Sequence, residues 1–73
     1  MGLKEDIYNG LIGHGVYKVD VDREATINGL PSVAVVVHAA DGRDPHAFTF
    51  AKVNHMDTDS MVAVIRSYLR NRT

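Results

Sequence analysis

The stretch Ser32–Asp41, SVAVVVHAAD, sets the main constraint on this chain: five apolar residues, Val33 to Val37, run without interruption into His38. A strand that is apolar without alternation is normally buried on both faces. A chain of 73 residues has little material with which to cover two sides of anything. At this length one α+β domain over residues 1–73 is expected, burying roughly 60% of the surface its unfolded chain exposes. Stability is then marginal, and a metal, a staple or a partner often makes up the difference.

The staple is excluded, because the chain has no cysteine. That also removes thiolate metal sites and suits a reducing, cytoplasmic setting. With 45% hydrophobic and 23% charged residues the composition is that of a soluble globular protein and not of a disordered one. A formal charge of −1 provides no global field for nucleic acid or an anionic membrane. No stretch approaches the roughly 18 apolar residues of a membrane span, and Met1–Asp6 lacks the apolar core of a secretory signal. Met1-Gly2 does not read as a myristoylation signal, since Asp6 stands where Ser or Thr is required.

Periodicity gives the element order. Leu3, Ile7 and Leu11, with Tyr8 and Ile12 beside them, form one helical stripe that Gly10 weakens and Gly13 is expected to end. From Val16 the period changes to two, with Tyr17, Val19 and Val21 alternating against Lys18, Asp20 and Asp22 as in a half-exposed strand. Asn28-Gly29 is the favoured pair for a type I′ hairpin turn, returning from Leu30 into the valine run. Asp41–Asp44 supplies a second turn, after which His46, Phe48 and Phe50 alternate with Ala47, Thr49 and Ala51. Asp57–Ser60 offers N-cap residues for a last helix with Met61, Val64, Ile65, Tyr68 and Leu69 on one face. The order is α-β-β-β-α: a two-layer fold with a three-stranded antiparallel meander sheet and two helices on one face.

Uniform register assigns the faces. A two-residue loop at Asn28-Gly29 sets Val19 and Val21 opposite His38 and Val36, and a three-residue loop at Asp41–Arg43 sets Val36, Ala34 and His38 opposite Phe48, Phe50 and His46. The helices then cover Tyr17, Val19, Val21, Ala34, Val36, Phe48 and Phe50. Val33, Val35 and Val37 are left on the open face as an apolar stripe, expected to mediate self-association in a two-fold homodimer.

Signals for chemistry are sparse. Four histidines, at 14, 38, 46 and 55, are numerous for this length, and the register makes His38 and His46 neighbours. Two imidazoles without a local third ligand make a poor zinc site, and neither an HExxH nor a Cys/His pattern is present, so no metal and no cofactor is expected. Asp41, Asp44 and Asp57 fall where aspartate serves turns and caps. Gly10, Gly13 and Gly15 follow a helix with the wrong spacing for a dinucleotide loop. No catalytic constellation emerges. Arg66, Arg70 and Arg72, with Lys52 and Arg43, are the candidate partner-binding cations.

The α-β-β-β-α order resembles, in coarse topology only, double-stranded RNA-binding domains and small histidine-dependent ribonuclease toxins. The basic start of the last helix on which the RNA-binding domains depend is replaced here by Asp57–Met61, which repels phosphate. The expectation is therefore a small non-enzymatic module, an adaptor, inhibitor or regulator, that binds a protein partner. A nucleic-acid binder or histidine-dependent nuclease is the alternative.

Overall fold

The computed structural model describes residues 2–40, 42 and 44–71. Helix α1 spans Leu3–Gly10, strands β1, β2 and β3 span Val16–Ile27, Leu30–Ala39 and His46–Ala51, and helix α2 spans Thr58–Asn71, with a short 3-10 turn at Lys52–Asn54. The strands form one antiparallel sheet in the order β1-β2-β3, so the α-β-β-β-α meander read from periodicity is the observed fold.

The β1–β2 turn forms as its sequence dictates. Asn28 and Gly29 both take positive φ, 53° and 82°, as a type I′ turn requires, and Ile27 pairs with Leu30. That register holds only as far as Ala25 opposite Ser32. The next pair is Asp22 with Ala34, so Arg23 and Glu24 together oppose Val33 in a β-bulge. A second irregularity at Tyr17 separates Lys18↔His38 from Val16↔Ala39. Between the bulges Val19 pairs with Val37 and Val21 with Val35.

The bulge inverts the expected faces of β2. Val33, Val35 and Val37 lie in the core at 8%, 0% and 3% exposure, and they are not an exposed stripe. The expected self-association surface at these three valines is therefore corrected: they pack beneath the helices with Val19, Phe50, Ile65 and Leu69. The reason is energetic. Burying the three valines in place of Ala34, Val36 and His38 adds roughly two isopropyl groups to the interior, worth about 3 kcal/mol. The ladder interruption at the bulge costs about 1 kcal/mol. A bulge lets β1 and β2 present their valines to the same side, and uniform register does not.

β3 follows the same logic. Phe48 pairs with Val35 and Phe50 with Val33, one residue away from the expected partners, because the connection between Ala39 and His46 is longer than a three-residue turn. Asp41 and Arg43 of the expected turn lie outside the described residues.

Helix α1 ends at Gly10, earlier than the apolar stripe suggests, although Leu11 still reaches the core at 0% exposure while Ile12 faces solvent. Helix α2 starts at its expected cap: the Ser60 backbone N–H donates to Asp57 Oδ1 at 2.8 Å. Its buried face is Met61, Val62, Ile65 and Leu69, so Val62 and not Val64 points inward. The helices touch where Gly10 meets Val62, and the Arg66 Nε–H donates to the Gly10 carbonyl oxygen at 2.9 Å. Among the described residues no helix is long and apolar enough to cross a membrane.

Candidate interaction surface

Both helices pack on one side of the sheet, which leaves the other side bare. Pairing places Lys18, Asp20 and Asp22 of β1, Ala34, Val36 and His38 of β2, and Ala47 and Thr49 of β3 on that open side. Its centre, Ala34, Val36, Ala47 and Thr49, is flat and uncharged, and the charges gather along β1. Toward the hairpin tip the face continues to Ala51, Ala25 and Ser32, and Ser32 is almost fully buried with its Oγ–H donating to the Leu30 carbonyl at 3.1 Å. The tip itself shows two large apolar side chains to water, Ile27 at 44% and Leu30 at 52% exposure.

The charged margin is organised around Asp20. His38 Nε2 lies 3.1 Å from Asp20 Oδ2, Lys18 Nζ lies 3.8 Å from the same oxygen, and Lys4 Nζ approaches Oδ1 at 3.9 Å from α1. These are open ion pairs, each contributing at most about 1 kcal/mol. They offset one carboxylate with two lysines and an imidazole. Tyr17, set free by the second bulge, lies against His38 with ring centroids 6.0 Å apart.

The expected His38–His46 pair does not form. His46 pairs with Val37 and so lies on the helix side, stacked on Tyr68 at 4.3 Å and edge-on to Phe48 at 4.6 Å. Its role there is aromatic packing at the end of α2. Among the described residues no group of three or more His, Asp or Glu converges as a metal site would.

The arginines have separate fates. Arg66 is committed to the C-terminus of α1 through Gly10, where a cation also complements the helix dipole. Arg70 is exposed one turn further on, and Arg72 lies outside the described residues.

A second concave region lies on the helix side, beyond the ends of the helices. The hairpin arm past the bulge extends away from the core, and between it, the 3-10 turn and the start of α2 lies a cleft of about 650 Å³. Val33, Phe50 and Met61 line it together with Arg23, Glu24, Lys52, His55 and Asp57. The Asp57 carboxyl is held below the usual carboxylate range, first by the Ser60 hydroxyl and then by the Ser60 backbone N–H.

A single register carried through β1 sets Ala34 and Val36 on the helix side, and the bulge sets them on the open face instead. The bulk of the odd-numbered valines against the small Ala34 was the available signal. On β3, Thr49 and Ala51 lie on the open side, as their alternation with Phe48 and Phe50 implies. Compared with known proteins, the sequence matches no family model, and neither curated proteins nor solved structures give a match.

Proposed function

We propose that this chain is a non-enzymatic protein-interaction module, an adaptor, inhibitor or regulator, that acts through the open face of its sheet and pairs there with a second copy of itself. The observation that carries this reading is the uncovered, uncharged centre of that face, Ala34, Val36, Ala47 and Thr49, in a protein whose two helices both lie on the opposite side. Small side chains let two sheets approach to the roughly 10 Å spacing of a sandwich.

The uncharged centre favours a second copy as the occupant, since a two-fold axis brings the same patch of small side chains onto itself. A two-fold axis in the interface and perpendicular to the strands lays β1 of one copy across β1 of the other in the opposite sense. Centred on the Ala34–Val36 patch, that axis sets Asp20 near Asp22 of its mate, and Lys4 and Lys18, which approach Asp20 within each copy, offset these carboxylates. An axis parallel to the strands would instead press these charges onto Ala47 and Thr49, at a desolvation cost with no return.

Size sets the strength. Strands roughly 4.8 Å apart, with about 3.3 Å per residue, give a three-stranded face of about 300 Å² in projection. Stable dimers bury around 800 Å² of accessible surface per partner. The pairing is therefore weak and reversible, suited to a module that exchanges its own copy for another protein. A dilution series followed by amide NMR tests this: the signals of Ala34, Val36, Ala47 and Thr49 move with concentration, and concentration-independent spectra overturn it.

The alternative, a nucleic-acid binder or histidine-dependent ribonuclease, draws on His38 being oriented by Asp20 with two lysines beside it. Both lysines share that one carboxylate, which weakens their hold on phosphate. RNA cleavage that is lost in His38→Ala would favour this alternative.

A further inference from the structure

The two edges of the sheet are finished differently. β1 forms one edge, where register shifts interrupt the ladder and Lys18, Asp20, Asp22, Arg23 and Glu24 supply charge, the devices that keep a foreign strand from pairing. β3 forms the other edge. Its six residues, His46–Ala51, hold an unbroken register with β2 and include no charge and no proline. In an antiparallel ladder alternate residues turn their N–H and C=O groups away from the paired strand. Among the described residues nothing takes up these outward groups of β3.

The helix side of this edge is a shallow apolar groove. His46 stacks on Tyr68 of α2 and Phe48 meets the same ring edge-on, with centroids 4.3 and 5.2 Å away. Phe48 and Tyr68 are only partly buried. Val64, one turn before Tyr68 on the same flank of α2, is 44% exposed. The flank carries no charge, since Ser60, Val64 and Tyr68 follow one another at successive turns. A further strand at the usual spacing of roughly 4.8 Å from β3 lays every second side chain along it.

We propose that the edge of β3 binds an extended, uncharged peptide segment of a partner protein as a fourth strand, its alternate apolar side chains filling the groove beside Val64 and Tyr68. Backbone groups recruit the strand and the groove selects its side chains, as in other cases of strand addition. Only an extended backbone matches the outward row of donors and acceptors, and a groove without charge offers nothing to an acidic or basic side chain. A second copy of this chain is the poorer occupant. Its own His46 and Phe48 are engaged by its own Tyr68, so it brings no free apolar side chain to cover Val64. The edge is separate from the open face, and both can be occupied at once.

The test is a ¹H–¹⁵N NMR titration of the wild-type chain and of Val36→Asp with an acetylated and amidated hexapeptide of alternating threonine and valine. Saturable shifts are expected in both chains at His46–Ala51, Val64 and Tyr68. The same peptide N-methylated at every residue keeps the side chains, loses the donors and is expected to bind roughly tenfold more weakly. Val64→Glu alters an exposed helix position, keeps the dispersion of the wild-type spectrum and weakens the unmethylated peptide about fivefold. No response at millimolar peptide, shifts confined to β1 or the open face, equal binding of the N-methylated peptide, or undiminished binding in Val64→Glu each overturns the proposal. Shifts along β3 on concentrating Val36→Asp without peptide would give the edge to a second copy and overturn it too.

Discussion

A methyl group added to Gly10 would lie 2.8 Å from Cγ1 of Val62, so the two helices approach as closely as they do because α1 ends its regular turns on a glycine. Alanine is the better helix former by about 1 kcal/mol. Overpacking against a β-branched side chain with few rotamers costs about 1–3 kcal/mol. Gly10→Ala is therefore expected to destabilise the protein, and Val62→Ala in the same chain to recover part of the loss. A denaturation double-mutant cycle measures this, and additive effects at the two sites would contradict it.

Arg66 closes the same junction from outside. Arg66→Ala removes the donor to the Gly10 carbonyl and is expected to cost about 1 kcal/mol. Lysine lacks the Nε donor and is not expected to substitute fully. Full stability in Arg66→Lys would show that charge at the end of α1 matters and the hydrogen bond does not.

The two faces of β2 should respond oppositely to the same chemistry. Val35 is fully buried, so Val35→Ala is expected to cost about 2–4 kcal/mol and Val35→Asp to unfold the chain. Val36 is one residue away on the open side, and Val36→Asp is expected to leave the circular dichroism spectrum intact. If Val35→Asp folds and Val36→Asp does not, the β1 bulge is misplaced.

Helix α2 carries a pH dependence at its cap. Bonds from Ser60 hold the Asp57 carboxyl below its ordinary value, so the folded state favours the ionised form. Stability from this source is fully present above the unfolded carboxylate value, near pH 4, and is lost as pH falls through the lower folded value. Asp57→Asn keeps a capping side chain and removes the charge. Its thermal midpoint should lie a few degrees below wild type at about pH 7, and the gap should close in acid. A gap that is constant with pH would assign the effect to something other than ionisation.

Element order was legible in the sequence because each element carried a local signal: the Leu3–Ile7–Leu11 stripe, Asn28-Gly29, the Phe48–Phe50 alternation and the Asp57 cap. Register was not legible, because it is a non-local quantity. A bulge at Arg23-Glu24 has no sequence signature of its own, and its gain appears only when the valines of β1 and β2 are weighed together. One residue of slip exchanged the core and open faces of β2, and with them the candidate surface. The cleft was invisible for the same reason, since it brings together a bulge, a 3-10 turn and a helix start from three parts of the chain.

Solution mass by light scattering across a concentration series, on wild type and on Val36→Asp, tests the central claim most directly. The open-face reading predicts a wild-type mass that rises from monomer toward dimer and a folded Val36→Asp that stays monomeric at every concentration. A wild-type monomer throughout, or a dimer that Val36→Asp leaves intact, would contradict it.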